Sequence, residues 1–318
     1  MAAATLITGA TGIVGTNLTR FLINQGEFIC VISRLSKPPI SLADVAQYVT
    51  WIQCDLTDTE RTASVIRSVM PSKVVHLATT PFNPPTTDAY THFNVNVMGL
   101  LHLLEAIRLF VPKSKVVVVG SCAVYQGGSD LSEQSPINPL TTYGASKASA
   151  SLLVSTWVQR YQLSITELRL FTPFGPWERT NRLIPHVILS ALNQKPVEIG
   201  AGVAQRDFIY MDDVVRAIAA TLGRVQLPQV AYNVCSGHGR RVIDVVQQIL
   251  GIMGNPVPLI IGAKADRHDE ILEMSGNNKA AERDLDWKPS VLFEDGIRKT
   301  IQWISENRDI VDQLSLEA

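Results

Sequence analysis

Tyr143 and Lys147 stand four residues apart in Tyr143-Gly-Ala-Ser-Lys147, a spacing that puts both on one face of a helix. An ammonium beside a phenol favours the phenolate, so Lys147 is expected to bring the phenol down from about 10 toward the working pH. A phenol tuned in this way gives or takes the proton of a sugar or alcohol hydroxyl. Alone, such a pair is also ordinary helix surface. Ser121 changes the reading, because it ends an apolar β-like run and offers a second hydroxyl to the same oxygen.

A phosphate-binding turn precedes this group. In Thr8-Gly-Ala-Thr-Gly-Ile-Val-Gly15, Gly9 permits the tight turn, Gly12 lets the backbone approach a diphosphate and Gly15 lets helix and strand pack closely. The free N–H groups at the helix start then face the anion. The next strand ends in Val31-Ile-Ser-Arg34, with Lys37 nearby and no carboxylate to take a ribose 2′-hydroxyl. Ser33 can donate to a 2′-phosphate and Arg34 can grip it through its guanidinium fork. NADP is therefore the expected cofactor, with NAD as the alternative. Asp55-Leu56, after the third strand, would flank the adenine.

An alternating β/α rhythm positions these residues. Short apolar, β-branched runs occur at Leu6-Ile7, Phe28 to Ile32, Val49 to Cys54, Lys73 to Leu77, Lys115 to Val119 and Ser164 to Leu170. Such runs suit a parallel sheet covered on both faces. Helical periodicity fills the gaps at Ile13 to Asn24, Thr59 to Met70, Asn94 to Phe110 and Gly144 to Tyr161. The pattern is that of an α/β, Rossmann-type doubly wound sheet. After Leu170 it loosens into helices at Leu183 to Asn193, Asp212 to Leu222, Val242 to Met253 and Phe293 to Asn307, with strands near Val197 and Tyr232. Residues 1–172 are expected to bind the dinucleotide and 173–318 to form a smaller mixed substrate-binding lobe, with parts of 205–240 returning to the first. The Pro-rich loop Thr79 to Thr87 and the polar loop Gln126 to Thr141 have the length of active-site walls.

Composition narrows the function classes. The chain has 318 residues, with 28 basic and 29 acidic ones, so it lacks the basic excess of a nucleic-acid binder. Hydrophobic residues make up 46% and charged ones 18%, with mean hydropathy +0.13, as in a well-filled globule. No apolar run is expected to approach the length of a membrane helix. The start carries no basic stretch before its first strand, which argues against a signal peptide and for a cytoplasmic protein. Cys30, Cys54, Cys122 and Cys235 lack metal-ligand spacing and read as free thiols, and the six histidines are scattered, so no metal is expected.

The residues carry a family resemblance over almost the whole length, from Gly9 to about Trp303. TGATGIVG (Thr8 to Gly15), CDLTD (Cys54 to Asp58), HLAT (His76 to Thr79), NVMGLLHLLE (Asn96 to Glu105), SCAVY (Ser121 to Tyr125) and EQSPINPLTTYGASK (Glu133 to Lys147) resemble the extended short-chain dehydrogenase/reductases of the nucleotide-sugar epimerase, dehydratase and ketoreductase group. The resemblance implies Ser121, Tyr143 and Lys147 as catalytic. It implies cofactor contacts from Gly9, Thr11, Gly12, Ile13, Val14, Ser33, Arg34, Asp55, Leu56, Leu77, Ala78, Thr79, Asn96, Tyr143 and Lys147. Substrate contacts are implied for Thr80, Ser121, Thr172, Arg179, Arg206 and Arg267, with Arg206 and Arg267 gripping a nucleotide diphosphate.

Departures from the family pattern matter. Thr172 replaces a common Asn, a choice shared with uronic-acid epimerases. Thr79-Thr80 replaces small residues beside the nicotinamide. Cys122-Ala123 stands where the dehydratases carry an Asp-Glu pair, which disfavours dehydration. The expected activity is NADP-dependent reduction of a nucleotide-linked 4-keto-6-deoxyhexose at C4, with Tyr143 as proton donor. A 4-epimerase retaining NAD is the first alternative, and a non-catalytic dinucleotide-binding protein the alternative from another class. A homodimer is expected through a four-helix bundle, with Leu100, Leu103, Leu104, Leu152, Leu153 and Trp157 supplying the surplus apolar surface.

Overall fold

The computed structural model describes residues 4–80, 88–265 and 270–316. Seven strands form one parallel sheet: β1 (Thr5–Thr8), β2 (Ile29–Ser33), β3 (Val49–Gln53), β4 (Lys73–His76), β5 (Lys115–Ser121), β6 (Ile165–Leu170) and β7 (Ala231–Val234). Their order across the sheet is β3-β2-β1-β4-β5-β6-β7, which reverses direction between β1 and β4. That reversal opens a crevice at the carboxyl ends of the strands, where ligands bind in sheets of this type.

The strands are apolar on both sides because both sides are covered. Ile7, Val31, Val75, Val117 and Leu168 face one core with Leu18 and Leu22 of helix Ile13–Asn24 and Val214, Ile218 and Leu222 of helix Met211–Gly223. Leu6, Cys30, Val74, Val116 and Ile165 face the other, with Ile66, Leu103, Leu104, Ile107 and Val154. The expected helix at Asn94 begins five residues earlier. It runs from Ala89 to Phe110 with a π-helical turn at Asn94–Met98.

By length and composition that helix is able to cross a bilayer, having 22 residues and a mean hydropathy of 1.3. This corrects the expectation that no run approaches such a length. Leu100, Leu103, Leu104 and Ile107 are fully buried in the core, which gives the apolar residues a different use. It also corrects the set of surplus apolar residues, since Leu100, Leu103 and Leu104 have no surface left for a partner. Leu152 is exposed, and so are Tyr90, Phe93, Met98 and Leu109.

A second sheet lies in the order Gly239–Arg241, Gln205–Tyr210, Glu273–Gly276, Gly128–Leu131, with Thr172–Phe174 pairing to Gln205–Tyr210. The expected loop Gln126 to Thr141 thus holds a strand that joins residues from the far end of the chain. In the other direction, β7 comes from residues beyond the second sheet's Gln205–Tyr210 and pairs with β6. A third core of Phe174, Ile188, Val197, Phe208, Val246, Phe293 and Ile297 packs beneath the second sheet.

Candidate active site

Two of the three glycines in the first turn are required by the protein itself. Gly9 has φ +71°, and a Cβ there would sit 2.5 Å from the backbone of Leu77 and Ala78 after β4. At Gly15 a Cβ would run into Gly9 and Ala10. Gly12 is different: its φ is −83°, and a Cβ would meet only the Gly9 carbonyl, at 3.7 Å. No atom of the described residues explains the missing side chain. The helix that starts there has no side-chain cap and no acidic residue in its first turn, leaving its positive end open. Thr11 and Gly12 are exposed, with Ile13 and Val14 half-buried behind them. A dinucleotide diphosphate fits this cradle.

Other residues expected to contact the cofactor lie at or just after the carboxyl ends of β1, β2, β3 and β4. Thr8 Oγ1 and His76 Nδ1 meet at 2.9 Å, and the Ala78 N–H donates to Thr8 Oγ1 at 3.3 Å, fastening the ends of β1 and β4. Burial and the nearby Lys147 push His76 down to about 3, so it stays neutral. At the end of β2, Ser33 Oγ accepts from the Leu35 N–H at 3.1 Å, which leaves its hydroxyl proton available. Arg34 is exposed and its guanidinium has no partner among the described residues. Asp55 is exposed, its carboxylate accepting from Thr57 at 2.9 and 2.8 Å, while Leu56 is buried.

The residues expected to do acid/base chemistry come together where two elements approach unusually closely. Helix Thr142–Tyr161 is capped by Thr141, whose Oγ1 accepts from the Gly144 N–H at 3.0 Å. At Gly144 a Cβ would collide with the Ala123 carbonyl, so only glycine lets the helix rest on the turn Cys122–Val124. That contact brings Tyr143 to Ser121 at the end of β5. The Tyr143 phenol is hydrogen-bonded by the side chains of Ser121 and Thr79. Lys147 is buried and donates to the Val119 carbonyl at 3.2 Å, with its Nζ 6.0 Å from the centre of the Tyr143 ring.

The charges do not follow the sequence expectation. Burial pushes the Tyr143 phenol up to about 12, opposed by its hydrogen bonds and by the charge of Arg182. Burial likewise pushes Lys147 down to about 8. Desolvation therefore outweighs any lowering of the phenol by Lys147 in this structure: both groups are buried, and the ammonium is turned to a backbone carbonyl. Asn96, in the π-helical turn, is a positioning residue here. Its Oδ1 accepts from the Thr80 N–H and the Thr79 hydroxyl, both at 2.9 Å, and its Nδ2 donates to Ser146 Oγ at 2.9 Å. Thr80 also meets His92 Nδ1 at 2.5 Å, and the His92 ring stands edge-on to Tyr143 at 5.8 Å.

On the substrate side the expected residues are only partly free. Thr172 is half-buried and paired in register with Phe208. Arg179 is exposed, and its guanidinium has no partner among the described residues. Arg206 is committed: it donates to the carbonyls of Gln205 and Ile271 at 2.8 and 2.6 Å and forms an ion pair with Glu270. The expected free diphosphate grip is thus held by an internal counter-charge. Arg267 lies outside the described residues, as does 81–87 of the Pro-rich loop. Sequence reading missed Gly144, His92, Glu178 and Arg182. The glycine was visible inside Tyr-Gly-Ala-Ser-Lys, but its role depends on a contact between separate elements.

Comparisons with known proteins identify the family. A Thermodesulfobacterium geofontis protein named UDP-glucuronate 4-epimerase is 27% identical, over 98% of this chain and 99% of its own length. A dTDP-glucose 4,6-dehydratase of Neisseria meningitidis serogroup B is 28% identical, over 95% of this chain and 93% of its own. The structure of Thermus thermophilus UDP-glucose 4-epimerase, solved with NAD, matches with a TM-score of 0.86 at 25% identity, covering 96% of this chain and 99% of that one. Residues 5–235 match the profile described as the NAD dependent epimerase/dehydratase family. An open glycine turn at the sheet's reversal point, the Ser121–Tyr143–Lys147 group beside it and this match together place the chain in the NAD dependent epimerase/dehydratase family, among the extended short-chain dehydrogenase/reductases that act on nucleotide sugars.

Proposed function

We propose that the chain reduces the C4 ketone of a nucleoside-diphosphate 4-keto-6-deoxyhexose with NADPH. The observation that carries this reading is the Tyr143 phenol, hydrogen-bonded by Ser121 and Thr79 beside a buried Lys147. A phenol pushed up to about 12 holds its proton at neutral pH and starts as a donor. The dinucleotide, when bound, supplies the hydride. Ser121 holds the carbonyl oxygen, Tyr143 releases its proton to that oxygen as charge develops there, and Lys147 offsets the phenolate left behind. Arg34, exposed and without a partner among the described residues, supports NADP through the 2′-phosphate. Dehydration lacks an acid: Cys122 and Ala123 occupy the relevant positions, and burial pushes the Cys122 thiol up to about 12.

The second reading is 4-epimerisation with retained NAD, favoured by the epimerase relatives and by Thr172. The two differ in cofactor exchange. Purified protein that carries no dinucleotide and consumes NADPH with a dTDP-4-keto-6-deoxyhexose supports reduction. Protein that retains NAD and interconverts UDP-sugars at C4 without net consumption establishes the alternative.

In this reading the seven-stranded sheet carries the dinucleotide and the second sheet the sugar nucleotide. The exposed Phe93, Met98, Leu109 and Leu152 support a homodimer through helices Ala89–Phe110 and Thr142–Tyr161. Sedimentation showing only monomer at micromolar concentration would remove that part.

A further inference from the structure

A closed circuit of contacts begins and ends on Tyr143. Its backbone carbonyl accepts from Ser146 Oγ at 2.7 Å, and Ser146 Oγ accepts from Asn96 Nδ2 at 2.9 Å. Asn96 Oδ1 accepts in turn from the Thr80 N–H at 2.9 Å. Thr80 Oγ1 meets His92 Nδ1 at 2.5 Å. The His92 ring then returns to the Tyr143 ring, edge-on at 71° with the centres 5.8 Å apart. His92 and Thr80 are both buried. The backbone of Tyr143 is set by its own helix, but its ring lies beyond two rotatable bonds and meets a side chain from helix Ala89–Phe110. Such an edge-to-face contact prefers one ring orientation over others.

The donors and acceptors of this circuit fix the state of the imidazole. An amide oxygen has two lone pairs, and at Asn96 Oδ1 the Thr80 N–H and the Thr79 hydroxyl fill them at 2.9 Å each. The Thr80 hydroxyl lies farther from that oxygen, at 3.3 Å, so its one proton goes to the nearer His92 Nδ1. Nδ1 is then an acceptor, and the ring proton sits on Nε2. Burial holds the imidazole below its ordinary value, against the opposite pull of Asp88 at the start of the same helix. From helix Thr142–Tyr161 the ring meets Tyr143, while Lys147, one turn on, is turned to Val119. The segment after β4 brings Thr79 and Thr80, and residues 81–87 contain no ionisable side chain. A proton on Nδ1 would set two donors against each other, unless Thr80 turned its hydroxyl to an oxygen already filled.

We propose that His92 is a positioning residue: as the neutral Nε2–H tautomer it accepts the Thr80 hydroxyl and sets the angle at which the Tyr143 ring presents its phenol to the reacting oxygen. The Thr80 hydroxyl, expected from the sequence to touch substrate, is thereby committed to holding His92. The role rests on Tyr143 being the proton donor, as it is in both reduction and epimerisation.

Two readouts on the full chain test this. In the first, ring-labelled tyrosine and histidine are followed by NMR across about pH 5–8, with Tyr143→Phe and His92→Phe identifying the two signals. The Nε2–H tautomer is expected at neutral pH, with a Tyr143 signal that moves at the His92 midpoint, below the ordinary histidine value of 6.5. In the second, turnover is measured with a dTDP-4-keto-6-deoxyhexose and NADPH, and with UDP-glucose. His92→Phe keeps an aromatic edge and removes the acceptor, and is expected to lower kcat by about tenfold to a hundredfold with KM and NADPH affinity within about twofold. Its kcat profile should also lose the acid limb that follows the His92 midpoint in wild type. Thr80→Val breaks the same bond from the other side and should match that loss, while Thr80→Ser restores it; this pair decides the matter if His92→Phe does not fold. An Nδ1–H tautomer, a Tyr143 signal indifferent to His92, or wild-type kcat in both His92→Phe and Thr80→Val overturns the assignment. Parallel losses of kcat and NADPH affinity overturn it too, by showing a general structural role. Wild type that turns over neither substrate while its Tyr143 signal still follows His92 supports the placement of the ring and overturns instead the reaction assigned to it.

Discussion

Two groups of buried polar side chains, one on β6 and one on helix Thr142–Tyr161 and the turn after Thr172–Phe174, are built on opposite principles. In the first, on β6, Glu167 and Arg169 pair at 3.1 Å with almost no exposure. Ser151 donates to Glu167, Arg169 donates to the Tyr125 hydroxyl at 3.0 Å, and that hydroxyl donates to Asn233 at 2.8 Å. Asn233 continues the chain to the Leu131 carbonyl and Glu133 at 2.8 and 2.7 Å. Glu167 and Arg169 neutralise each other, every hydroxyl has a partner, and the cluster joins β6 and β7 to the second sheet. In the second group, Tyr143 and Lys147 are displaced from their ordinary pKa values by burial, and burial likewise pushes the Glu178 carboxyl up to about 7. Equal burial therefore means different things. A neutralised network stabilises and specifies the fold, whereas titratable groups displaced by desolvation are the kind that cluster at functional sites.

The contrast breaks most visibly at Tyr143. Tyr143→Phe is expected to lower turnover by about 10²–10⁴ while dinucleotide affinity and melting temperature stay near wild type, measured by single-turnover kinetics and calorimetry. Arg169→Met should do the reverse. It leaves Glu167 buried without its counter-charge and should cost about 3–5 kcal/mol in urea unfolding, with activity per folded molecule retained. A fully folded Arg169→Met of wild-type stability would show that the first cluster is not structural.

Arg34 sharpens the comparison at the surface, as a cation without a partner among the described residues. Arg34→Ala is expected to weaken NADPH about tenfold to a hundredfold and NADH hardly at all; equal losses would remove the NADP assignment and promote the epimerase. The smallest effect concerns Lys147, which is pushed down from 10.5 to about 8 in the folded protein. Between those values the unfolded chain binds more protons, so the penalty is full below about pH 8 and disappears as pH rises toward 10.5. Lys147→Met should therefore stabilise the ligand-free protein at pH 7, by on the order of 1 kcal/mol, with a gain that shrinks across that window. A pH-independent gain would mean that packing, not desolvation, is responsible.

Much of the architecture was legible in the residues. Helix Ile13–Asn24 follows its expected bounds, and β-branched runs mark β1 to β6, because strands covered on both faces must be apolar throughout. The glycine turn and the Tyr/Lys spacing were equally readable, since local backbone geometry and helical periodicity are written in neighbouring residues. Pairings between distant segments were not. Nothing in Gly128–Leu131 announces that it will pair with Glu273–Gly276, or in Glu270 that it will neutralise Arg206. The charge state of the site was decided by tertiary structure alone. Sequence places Lys147 one helical turn from Tyr143 and suggests mutual tuning. Folding buries both, turns the ammonium toward Val119, and lets desolvation outweigh their attraction, because burial depends on every element packed around the site and not on the spacing of two residues.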